Sequence, residues 1–118
     1  MTTPMNTEQF LKQLSAAPES INFEDTMACI DENYHFTETA FQNAILHNAA
    51  GENNGSCKIF SFAKQHQLSE QNTLHCFGDY YRKDVLENPN AENHQNIRNF
   101  ILHGWEGIRF EDIALLAK

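Results

Sequence analysis

Positive charge is scarce in this sequence: 8 Lys and Arg stand against 16 Asp and Glu in 118 residues, a formal charge of −8. That is the wrong sign for neutralising a phosphate backbone, so nucleic acid is not an expected partner, and anionic membrane surfaces are disfavoured for the same reason. Long apolar runs are also missing. Nothing approaches the roughly 20 residues of a membrane span. The opening MTTPMNTEQF has neither a basic n-region nor an apolar h-region, so neither a membrane partner nor a cleaved signal peptide is expected. The 3 cysteines, Cys29, Cys57 and Cys76, are widely spaced and odd in number, which fits reduced thiols better than a disulfide framework. No C-x-x-C, H-E-x-x-H or paired-histidine spacing occurs, so no metal and no cofactor is expected.

What remains is a chain of one-domain length, residues 1–118, without repeats or a linker rich in Pro, Gly or Ser. Its apolar residues recur at helical spacing. Thr7 can cap a first helix carrying Phe10, Leu11 and Leu14, which Pro18 stops. Asn22, with Asp25 three residues on, opens a second with Phe23, Met27, Ile30 and Tyr34 on one side. After the turn NAAGENNG a third helix runs from about Ser56 to His66 and buries Ile59, Phe60, Phe62 and Ala63. Ser69 caps a fourth, reaching about Glu87 on a stripe of Leu74, Phe77, Tyr81 and Val85, with Gly78 a weak point midway. A fifth runs from about Asn93 to His103 and ends at Gly104.

Two segments break the helical period. Thr37–Phe41 is rich in Thr and aromatic residues, and Ile108–Glu111 alternates apolar and charged residues as a half-buried strand does. Each needs a partner to satisfy its backbone, so they are expected to pair as one small antiparallel sheet. The expected class is therefore α+β: mostly helical, about five short helices, with Trp105 shielded over the core where the last helix meets the closing strand.

The candidate chemistry is thin. If Ser56 caps the third helix, Cys57 lies in its first turn, where the helix dipole and Lys64 favour a thiolate. Cys57 is then a candidate catalytic nucleophile needing a histidine, His75 or His103, from elsewhere in the fold; the alternative is a small thiol packed at a turn. Ser61-Phe62-Ala63-Lys64 matches S-x-x-K but lacks its companion motifs. DENYHFTETAFQ fails as a calcium loop, because Phe36 and Gln42 occupy the glycine and glutamate positions. His75 and Asp79 lie one turn apart beside Arg82 and Lys83, readable as a metal pair or as a solvated face on which Asp79 pairs with Lys83. Tyr80, Tyr81 and Trp105 read as core or as an aromatic wall. In HQNIRNFILHGW, Asn96, Asn99 and His103 form a polar stripe with Arg98 at its boundary, a candidate binding face for a partner.

Taken together, NNGSCKIF, CFGDYYRKDVLENP and HQNIRNFILHGWEGIRF resemble the HopJ family of type III effector proteins, over about Phe23 to Phe110. The resemblance implies a protein made in the bacterial cytoplasm and delivered by a plant pathogen through a type III secretion needle, without a cleaved signal, to act on a host protein. It implies no reaction, cofactor or catalytic residue. The expected function is thus a non-enzymatic interaction or binding protein; the alternatives are a small enzyme using Cys57, or a small-ligand or metal binder.

Overall fold

The computed structural model describes residues 6–118; the first five residues of the polar opening lie outside the described residues. Five α-helices and five short strands form an α+β fold dominated by helix: α1 (Thr7–Ala16), α2 (Phe23–Asn33), α3 (Asn54–Gln65), α4 (Glu70–His75), α5 (Gln95–His103), β1 (Tyr34–Phe36), β2 (Phe41–Asn43), β3 (Leu46–Asn48), β4 (Ile108–Phe110) and β5 (Leu115–Ala117). No described helix is long and apolar enough to cross a membrane.

Helix starts follow side-chain chemistry. Asn6, one residue before the expected Thr7, caps α1: its side chain accepts from Gln9 N at 2.8 Å while Gln9 Oε1 accepts from Asn6 N at 3.1 Å. At α2 the Asp25 carboxylate accepts from Asn22 N at 3.1 Å, as the spacing predicts.

α3 lies at the centre. Cys57 and Ile59 through Ala63 are all buried, so the helix is enclosed around most of its circumference rather than along one stripe. Phe60 and Phe62, two residues apart, point into different clusters. Phe60 meets Phe100 at 5.0 Å, Phe77 at 5.5 Å and Phe41 at 6.1 Å between ring centroids, whereas Phe62 meets Phe10 at 5.6 Å and Tyr34 at 5.8 Å. These edge and tilted contacts are the favoured geometries for aromatic pairs.

The expected fourth helix is broken. Leu74, Phe77, Tyr81 and Val85 are all buried as the stripe requires, but α4 stops at His75 and the chain resumes as a π-helical turn, Tyr80–Val85, with Leu86 N donating to Tyr81 O at 3.0 Å. Gly78 is the reason. Its φ is +62°, and a Cβ there would lie 2.6 Å from Phe23 N, so the residue permits both the left-handed turn and the close approach of α2.

The strands also depart from expectation. The C-terminal strand pairs antiparallel with the expected neighbourhood, but its partner strand begins at Phe41, the end of the expected segment. β2 starts at Phe41 and pairs antiparallel with β4, Phe41 opposite Phe110 and Asn43 opposite Ile108. Thr37 to Ala40 link the two ladders: Thr37 N donates to Ala114 O at 2.8 Å, Ala40 O accepts from Glu111 N at 3.1 Å, and between them Thr39 Oγ1 donates to Thr37 O at 2.8 Å, a local bond of the kind that competes with strand pairing. β3 extends this sheet to three strands, order β3-β2-β4, and a second sheet joins β1 to β5. Among the described residues there are two small sheets rather than one. The Leu-Leu-Ala of β5 carries no alternation, and only its partner β1 makes it a strand.

Candidate functional site

The first turns of α3 and α5 converge on one side of the molecule. Asn53 and His94, the residues immediately before these helices, both adopt left-handed backbone at φ +53°, and neither caps its helix with its side chain. The first-turn N–H groups, which have no intrahelical acceptor, are therefore left uncapped by these side chains. Between the two helix starts lies a cleft of about 360 Å³ whose rim includes Gly55, Ser56, Gln95 and Ile97.

An aromatic wall closes one side of the cleft. Phe23 meets Tyr80 edge-on at 5.0 Å, and the Tyr80 ring lies against the His94 imidazole at 5.1 Å and 36°. His94 is fixed in turn by Asp84, with Nε2 and Oδ2 3.0 Å apart. Tyr80 belongs to the π-helical turn, so the break at Gly78 also aims this ring at the cleft. The ring remains 41% exposed, an accessible surface held by the edge contact with Phe23 and the tilted contact with His94.

Beneath the cleft is a network of asparagines. Asn48 and Asn96 exchange amide hydrogen bonds of 3.1 and 3.0 Å; Asn43 Nδ2 donates to Asn96 O at 2.8 Å, and Asn53 Nδ2 donates to Asn48 Oδ1 at 2.7 Å. Asn43, Asn48 and Asn96 are buried. The network ties the β2–β3 hairpin to the heads of α3 and α5, so it sets the distance between the two helix starts. A sequence of scattered amides gives no such signal, because only the fold brings residues 43, 48, 53 and 96 together.

The four residues of the expected polar face separate. Asn96 joins the network and also lines the cleft. Asn99 turns to the hairpin, donating to Asn43 O at 3.4 Å. Arg98 reaches the other way and staples the 88–93 loop, donating from Nε to Asn93 O at 2.6 Å and from Nη1 to Asn88 O at 2.9 Å. His103 is exposed at the far end of α5. Three of the four are thus engaged within the protein.

Cys57 lies elsewhere than expected. α3 begins at Asn54, not after a Ser56 cap, so Cys57 is its fourth residue and its N–H already donates to Asn53 O at 3.0 Å. The thiol is 1% exposed and donates to Thr39 O at 3.6 Å. Burial pushes its pKa above the ordinary thiol value, against smaller opposing contributions from the Thr39 and Ser61 hydrogen bonds. His75 is committed to another cluster: Arg82 Nη1 donates to its Nδ1 at 3.1 Å while Arg82 also holds Pro18 O and Ile21 O. Burial, then the Arg82 charge, lowers the His75 pKa. Asp79 pairs with Lys83 at 3.9 Å, the solvated-face reading. Among the described residues no group of three metal-ligating side chains assembles. The three aromatics part company too, with Tyr80 in the cleft, Tyr81 in the core and Trp105 half-buried on the opposite side.

Comparison with known proteins gives consistent findings. The protein-family model described as HopJ type III effector protein matches residues 7–115. No curated protein matches the chain. A solved structure described as the crystal structure of unknown function protein VPA0580 is 53% identical and superposes with a TM-score of 0.96, over 100% of this chain and 98% of that one. With the family model spanning nearly its whole length, the chain belongs to the HopJ type III effector protein family.

Proposed function

We propose that this HopJ-family chain is a non-enzymatic binding protein that engages a partner, a host protein in the setting the family name gives, through the cleft between the heads of α3 and α5. The single observation that carries the reading is the cleft itself, about 360 Å³ and walled by the Phe23–Tyr80–His94 ring cluster. Concave sites that combine aromatic surface with a few placed polar groups are where small ligands and partner side chains bind. A planar ring slides against Tyr80, and an acceptor on that ring meets the N–H donors at the rim. The buried Cys57, its pKa raised rather than lowered, supports binding over covalent chemistry.

The test uses amide NMR with benzoate as the planar probe and cyclohexanecarboxylate as its saturated control. Shifts confined to Gly55, Ser56, Gln95 and Ile97 with benzoate, lost in Tyr80→Ala, are expected. Equal shifts from the saturated acid remove the stacking wall from the reading. Absence of cleft shifts with either probe overturns it.

A further inference from the structure

A second face, at the opposite end of α3, is independent of the cleft. Two hollows of about 410 and 320 Å³ lie side by side and share one residue, Lys64. Phe110, Ile113 and Ala114 line the first, Leu68 and Trp105 the second. The floor is rigid: Trp105 Nε1 donates to Leu68 O at 3.2 Å, its ring stands edge-on to Phe100 at 5.0 Å, and Phe110 stacks on Phe41 at 5.4 Å. Ile113 is 64% exposed at the rim. The result is an apolar groove with an ammonium at its middle.

Most cations of this acidic chain are engaged: Lys12, Lys58, Arg82 and Lys83 have carboxylate neighbours, and Arg98 and Lys118 donate to carbonyls. Among the described residues the Lys64 ammonium and the Arg109 guanidinium have no ion pair and no side-chain hydrogen bond. Arg109 lines a separate hollow with Glu106, whereas the Lys64 ammonium lies over the Phe110 ring, 6.0 Å from its centroid. Covering the groove with a purely apolar partner would bury this charge uncompensated, which is strongly unfavourable. Asp112, on the same hollow, accepts from Ile113 N at 2.7 Å and is not paired with Lys64, so the carboxylate that meets this ammonium comes from the occupant. Apolar surface continues on both sides of Lys64, so that carboxylate lies between apolar groups rather than at the end of one, which is the arrangement of a peptide and not of a fatty acid. A run of acidic residues is disfavoured by the net charge of −8 and by Asp112 at the end of the first hollow.

We infer that this groove docks a partner protein segment in which a single Asp or Glu, flanked on each side by apolar side chains, sets its carboxylate on Lys64 and its apolar neighbours into the two hollows. The surface does not depend on the α3–α5 cleft, and each can fail without the other.

Trp105, the single tryptophan of the chain, sits in the groove and reports on it directly. The probe is a capped pentapeptide with glutamate at its centre and two leucines on each side, titrated to about 1 mM, the weak end of specific recognition. Trp105 emission and calorimetry are read together. Saturable binding is expected, weakened at least about tenfold when the central glutamate is replaced by glutamine or when the protein carries Lys64→Glu. Ile113→Asp weakens it as well. Lys64 and Ile113 are exposed, so unchanged circular dichroism and thermal midpoint verify that both variants fold. No heat and no emission change with the glutamate peptide, or binding indifferent to Lys64→Glu, overturns the inference. Equal binding of octanoate overturns the peptide assignment.

Discussion

Ser56 and Cys57 are consecutive residues of α3 with opposite surroundings. Ser56 lines the open cleft beside the uncapped helix start, whereas Cys57 is sealed between the Thr39 carbonyl and the core. One residue along a helix is about 100° of rotation, since 3.6 residues make a turn, and at the edge of a core that rotation separates water from apolar packing. The dipole of the helix is common to both. Burial is not, and for Cys57 burial dominates, raising its pKa at the very helix end where the dipole favours a thiolate.

The contrast between sealed and open surroundings can be broken first at Phe60. Truncation by Phe60→Ala removes the ring on which Phe41, Phe77 and Phe100 converge and is expected to destabilise the protein by about 3–5 kcal/mol. Ser56→Ala, one turn earlier at the open head of the same helix, is expected to change stability by less than about 0.5 kcal/mol. Urea unfolding monitored by Trp105 measures both, and similar costs for the two would show that the head of α3 is packed like its middle.

Asn96 stands at the boundary, in the network and at the cleft at once. Asn96→Ala leaves the Asn48 amide without its reciprocal partner and removes one acceptor of Asn43 Nδ2, which is expected to cost about 1–3 kcal/mol. The same variant should loosen the two helix starts, visible as faster hydrogen exchange at Cys57 and Arg98, whose N–H groups donate to Asn53 O and His94 O. A variant as stable and as protected as the parent would make the network incidental.

The smallest effect is chemical and leaves stability aside. At pH 7 Cys57 is expected to alkylate no faster than a free thiol. Its reaction should accelerate with pH only beyond the ordinary thiol range, because the folded pKa is raised and the thiolate appears later. Cys29, raised to about 11, and Cys76, raised to about 12, should also be slow. Mass-spectrometric mapping over a pH series checks the order. Rapid modification of Cys57 near neutrality would restore the activated thiol that the turn sequence invites.

Much of the frame was legible because it depends on short-range pattern. The apolar spacing of Leu74, Phe77, Tyr81 and Val85 marks them as core whether or not the helix is continuous, and the alternation of Ile108–Phe110 marks a strand whatever its register. Near the site the reading was less complete. Asn96 carries the same spacing signal as a wet helix face, and nothing local distinguishes an amide in water from one locked against Asn48.

The sequence by itself determined that the chain is mostly helical, which residues of the apolar stripes are core, that a C-terminal strand must find a partner near Phe41, and, through three long strings of residues, the family. Tertiary structure alone decided the consequences of burial and of meeting. Gly78 became a break because α2 approaches its backbone, and the Cys57 thiol has its pKa raised because the fold packs it against the Thr39 carbonyl and the core. At the cleft, asparagines 43, 48, 53 and 96 are brought into one hydrogen-bond network beneath the two helix starts. Local propensity acts over a few residues and is written in them, whereas desolvation and long-range hydrogen bonding depend on which segments the closed chain brings into contact.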